Sequence, residues 1–170
     1  AKVRLAEAYF KLAKYPEAVE VANQALAKEP GNISALQFRG SALGASGHTK
    51  EAAEDFKAIL NADPNNQHGM FNLGVAYKEA NLLNDAIETF SKLIVANPAF
   101  PNACYARGFC YGKMGMFPQA KADMEESIAK QPQHGASYVF RGRTFEALSD
   151  LQAACADWKK AVGLGTPDAE

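Results

Sequence analysis

The amino-acid sequence predicts an all-α repeat array of about ten antiparallel helices, and three observations predict it. The first is a period of 34. Pro30, Pro64, Pro98 and Pro132 recur on it, as do Gly40, Gly74, Gly108 and Gly142, and so do Ala18, Ala52, Ala86, Ala120 and Ala154. The second is that the 170 residues hold five such lengths without an insertion. The third is helical spacing of apolar residues inside each period, such as Met70, Leu73 and Tyr77 at i, i+3 and i+7.

Taken in order, the first copy (1–32) has Tyr9 on its first helix. Pro16 opens its second helix, where a missing N–H costs little, and Pro30 follows its end. The second copy (33–66) places Gly40 and Leu43 on its first helix, Ala52 and Phe56 on its second, and stops at Pro64. In the third (67–100), Asn81 interrupts the first stripe and Asp85 to Ile94 resumes with Ala86, Ile87, Phe90, Leu93 and Ile94. Asn97-Pro98 then ends the helix, because proline disfavours helical backbone at the preceding residue. The fourth (101–134) repeats the scheme with Gly108, Tyr111, Pro118, Ala120, Met124 and Pro132. The fifth (135–168) does so with Gly142, Phe145, Ala154, Trp158 and Thr166-Pro167. Glycine and alanine at the shared small positions let the two helices of a hairpin approach closely.

Composition excludes several classes. Hydrophobic residues at 48% and charged residues at 22% argue against disorder. A net charge of −1 offers no basic field for nucleic acid. No apolar run is long enough to insert in a membrane. Three cysteines without a CxxC argue against a disulfide framework or a zinc site. Cys104, Cys110 and Cys155 fall where other copies carry small or apolar residues, so all three read as core thiols, and unpaired thiols lean toward a cytoplasmic location. His48, His68 and His134 lie in or beside turns with no second ligand at i+4, which favours surface histidines over a metal. The Gly40–Gly47 stretch is glycine-rich, but it coincides with the repeat's own glycine and turn rather than with a phosphate cradle. No nucleophile elbow, P-loop or HExxH occurs, so neither catalysis nor a cofactor has a visible seat.

The copies also differ from one another in a paired way. Arg39, Arg107 and Arg141 are each answered at i+16 by an aspartate, namely Asp55, Asp123 and Asp157. Where the first position is Leu5 or Leu73, the second is Val21 or Thr89. Three ion pairs between the facing helices of one hairpin are expected, with the bidentate geometry that suits arginine.

The pattern Met70-Phe-Asn-Leu73-Gly74-Val-Ala-Tyr77, then Ala86, Phe90 and Pro98, resembles the tetratricopeptide repeat (TPR) over the whole chain, as does Tyr138 to Trp158. In that family's numbering the first copy begins at position 3 with Ala1, and Ala169-Glu170 would open a sixth copy, so the chain reads as a fragment of a longer protein. The resemblance implies a right-handed superhelical solenoid whose inner groove is walled mostly by first helices. Carried onto this chain, that wall comprises Gln37, Phe38, Ser41, Phe71, Asn72, Val75, Tyr105, Phe109, Val139, Phe140 and Arg143, with Val3, Arg4, Glu7 and Lys11 from the first copy. His68, Lys78, Asn102, Lys113 and Glu146 complete it. The carboxylate clamp for chaperone tails is not met, because the starting pairs Val3/Glu7, Gln37/Ser41 and Phe71/Val75 lack its basic residue and asparagine. An asparagine ladder of the O-GlcNAc transferase type has only Asn72. The expected function is therefore that of a scaffold receiving a peptide or helix of another protein on an aromatic wall. The alternatives are self-assembly into homo-oligomers, or a regulatory TPR domain of a larger enzyme or secretion complex.

Overall fold

The computed structural model describes residues 1–166; the Pro167 stop signal and the Ala169-Glu170 opening of a sixth copy lie outside the described residues. Ten helices and no strands are present among them: α1 (Lys2–Lys11), α2 (Tyr15–Leu26), α3 (Ile33–Ala45), α4 (Thr49–Ala62), α5 (Gln67–Glu79), α6 (Leu83–Ala96), α7 (Ala103–Lys113), α8 (Phe117–Lys130), α9 (Gly135–Ala147) and α10 (Leu151–Gly163). The chain divides into two compact units at Lys92/Leu93, within α6.

In the first unit α1 pairs with α2 and α3 with α4, and α5 lies against α4. Its core holds Leu26, Leu36, Phe56, Ile59 and Leu73, closed by small residues at Ala35, Ala52 and Ala76. The repeated glycine is a point of close approach: a Cβ on Gly74 would stand 2.6 Å from Cε1 of Phe90. In the second unit α7 pairs with α8 and α9 with α10, and α8 packs on α9. There Tyr138, Val139 and Ala161 form a buried cluster backed by Ile128 and Leu164. A buried Ser127–Ser137 hydroxyl contact of 2.8 Å ties α8 to α9.

All five turns inside the hairpins close in the same way. Ala13, Gly47, Asn81, Gly115 and Ser149, spaced by the repeat's own period, have φ of 55°, 86°, 59°, 73° and 64°. The N–H of the following residue donates back to a carbonyl of the preceding helix, as in Lys14 to Tyr9 (2.9 Å) and Asp150 to Phe145 (2.9 Å). This is the Schellman arrangement, which satisfies carbonyls that a helix end otherwise leaves open. Between hairpins, Asn32 and Asn66 cap α3 and α5 by accepting from the N–H of Ala35 (2.9 Å) and Gly69 (2.8 Å).

The three Arg–Asp pairs are present and bidentate. Arg39 Nε and Nη2 donate to Asp55 at 2.8 and 2.5 Å, Arg107 to Asp123 at 2.8 and 2.6 Å, and Arg141 to Asp157 at 2.7 and 2.7 Å. The aspartates are buried and the arginines partly so. Hydrogen bonding to the carboxylates, working against burial, pushes each guanidinium above its ordinary pKa.

One expectation about the thiols is corrected. Cys104 and Cys110 are buried, but Cys155 is exposed. Its place in the repeat is not a core place throughout: Ala53 is buried, but Val19, Ile87 and Lys121 at the equivalent positions are only half-buried.

Candidate functional site

The first-helix residues of the first unit are held by their own helices and by the second helix beneath them. Gln37 Nε2 donates to Ser41 Oγ at 3.3 Å along α3, one helical turn apart. Phe38 is half-buried. On α5 the Phe71 ring lies 5.8 Å from that of Phe90, tilted by 54°, so its inner edge is anchored in the hairpin. Ser41, Asn72 and Val75 converge on a cavity of about 350 Å³ between α3, α4 and α5. Gly44, Phe56 and Ala76 supply its apolar floor, and Thr49 and Glu79 stand on its rim. Glu79 is exposed and its Oε1 accepts from Lys78 at 2.8 Å. The sequence points to the three convergent residues but not to the cavity. The signal that could have found it is Gly44, which reads as part of a turn although it lies inside α3.

In the second unit the predicted aromatics are gathered together. The Tyr105 ring meets His134 edge-on at 4.9 Å and Phe140 at 6.5 Å. Phe140 lies 5.0 Å from Phe109, and Lys113 Nζ stands 5.6 Å from the Phe109 ring centroid. The Phe140 ring also covers Gly112, where a Cβ would fall 2.6 Å from its Cε1. These rings thus have both a packed side and an open one, all three being half-buried. Arg143 is exposed. Val139 is 8% exposed and sits in the α9–α10 core, so its side chain is not available on the surface. Asn102 takes the left-handed conformation (φ 61°) ahead of α7, which starts two residues later in its copy than α3, α5 and α9 do.

His134 caps no backbone amide; its Nδ1 lies 2.7 Å from Ser137 Oγ, and burial lowers its pKa below the ordinary 6.5. Ser137 itself is fully buried. That removes it as a nucleophile despite the neighbouring imidazole. Among the described residues, no three His, Cys, Asp or Glu side chains converge on a position that could hold a metal ion, and no helix is long and apolar enough to cross a membrane. What the two faces offer is half-open apolar surface, edged in the first unit by the amides of Gln37 and Asn72 and the hydroxyl of Ser41.

Helix hairpins on a period of 34, with a small residue at each crossing and half-open aromatics on the first helices, define a repeat protein of the interaction-scaffold class. The chain belongs to the tetratricopeptide-repeat family: models of that repeat match residues 1–32, 44–107 and 101–134. A search among curated proteins finds no match. Solved structures similar in fold include one of MamA, with a TM-score of 0.86 and 22% identity, covering 94% of this chain and 94% of that one. YrrB, described as a TPR protein with an unusual peptide-binding site, superposes with a TM-score of 0.78 at 19% identity over 98% of this chain and 86% of that one. TTC0263, a thermophilic TPR protein in Thermus thermophilus, gives 0.75 at 20% identity, covering 98% and 91%.

Proposed function

We propose that the protein is a scaffold that receives a peptide or helical segment of a partner protein on its first-helix faces. In the first unit this is the face built by Gln37, Phe38, Ser41, Phe71, Asn72 and Val75. In the second it is the face of Tyr105, Phe109, Phe140 and Arg143. One observation carries the reading: all ten of these side chains retain solvent exposure, although six of them are aromatic or aliphatic. Rings of this kind bring large contact area with few rotors to freeze, which is why they anchor interfaces. The similarity in fold to YrrB, whose structure is described by its peptide-binding site, agrees with this use.

The test is a crosslinking pull-down from native extract with the intact chain and with the combined variant Val75→Glu, Arg143→Glu. Both side chains reach solvent, so helical circular dichroism should be unchanged. Loss of a partner from the variant alone is the expected result. A partner held equally by both chains would move recognition off the first-helix faces.

A further inference from the structure

Gly44 and Gly112 occupy the same place in the repeat, two periods apart, and so do Ala52 and Ala120. The two floors agree at this step, since a Cβ on either glycine would lie 3.8 Å from the Cβ of its alanine, while Phe56 and Ala76 of the first correspond to Met124 and Thr144 of the second. What stands over them differs. Above Gly112 lies the ring of Phe140, flanked by the ring of Phe109 at 5.0 Å. The matching residues in the first unit are Asn72 and Ser41, both too short to cover Gly44, and nothing but Ala52 comes within 4 Å of a Cβ placed there. The cavity of about 350 Å³ is the space so left.

Resting on the reading above, we infer that this cavity is a socket for an aromatic side chain, and that the partner segment carries a phenylalanine next to a basic residue. The floor of Gly44, Phe56 and Ala76, with Val75 at the side, is apolar and gains by excluding water. A ring has a precedent on this glycine–alanine step, since the molecule itself lays one over the equivalent step at Gly112. The amide of Asn72 and the hydroxyls of Ser41 and Thr49 line the same space and can bond the backbone on either side of that ring. Glu79 is the one charged residue among the liners, and its carboxylate favours a cation beside the ring over an anion. Lys78 already pairs with this carboxylate at 2.8 Å, so the preference for a cation is weaker than the preference for the ring.

The experiment titrates the full chain with N-acetyl-phenylalanyl-arginine amide, followed by chemical-shift changes, with the alanyl-arginine and phenylalanyl-glutamate amides as controls. The phenylalanyl-arginine compound should bind at least about tenfold more tightly than the alanine control and several-fold more tightly than the glutamate one. Asn72→Phe, which copies Phe140, should fill the socket, keep or raise the melting temperature, and remove the binding. Gly44→Leu, which fills it from below, should do the same and serves if the first variant does not fold. Equal binding of the alanine control, or undiminished binding by a folded, filled variant, would overturn the assignment. So would self-association of the chain that Asn72→Phe dissolves without any binding of the compound, since the ring would then come from a second copy. If the compound fails to bind while Val75→Glu with Arg143→Glu still loses its partner, the face stands as the binding surface and the aromatic socket falls.

Discussion

Arg39 does more than close its own hairpin. Its Nε and Nη2 hold Asp55 on α4, while Nη1 donates to Asn23 Oδ1 on α2 at 2.7 Å, so one guanidinium joins two successive hairpins. The Arg–Asp half of this was legible in the sequence because the copies vary together at the two positions. The Asn23 half was not: the places equivalent to Asn23 ahead of Arg107 and Arg141 hold Ser91 and Glu125, with no shared residue type to notice. Asp55→Ala strands a partly buried guanidinium and should cost about 2–4 kcal/mol in urea unfolding. Arg39→Leu with Asp55→Thr imitates the third copy, Leu73 and Thr89, and should cost clearly less than the single change. Equal losses would show that the two residues do not stabilise the chain as a pair. Val139 shows the opposite case, a residue that family position placed on the wall and that packing against Tyr138 and Ala161 withdrew from it.

At the level of elements, the helices were readable from prolines, small residues and apolar spacing, because each of these acts within one turn of the chain. The turns were readable only in part. Gly47, Asn81 and Gly115 are residue types that tolerate positive φ, whereas Ala13 and Ser149 hold the same conformation without that advantage. Tertiary packing of the hairpins overrides local preference at these two sites. Ser149→Gly should therefore raise stability by about 0.5–1 kcal/mol, and Ala13→Gly likewise, read as a shift in the urea midpoint at constant m. A loss at either site would mean that the side chain contributes more than its strained backbone costs. The late start of α7 was not legible either: Pro101 stands where α3, α5 and α9 begin, a place proline tolerates, yet the left-handed Asn102 follows it.

Across the whole molecule, the repeat and its family were written in the sequence, since a period of 34 leaves every copy with the same registers. The candidate site was legible as a set of positions and not as a shape. No single residue announces the cavity at Gly44. It depends on Asn72 and Ser41 being short at the same place, a property of two copies meeting in space. Cys155 escaped for a related reason, as the same place in the repeat is buried at Ala53 and only half-buried at Val19, Ile87 and Lys121. The most direct measurement is amide hydrogen exchange of the full chain, alone and with the partner recovered by crosslinking. Slower exchange concentrated in α3, α5, α7 and α9, with α2, α4, α8 and α10 nearly unchanged, is the predicted result. Protection confined to the second helices, or to the outer face of α10, would contradict recognition on the first-helix faces.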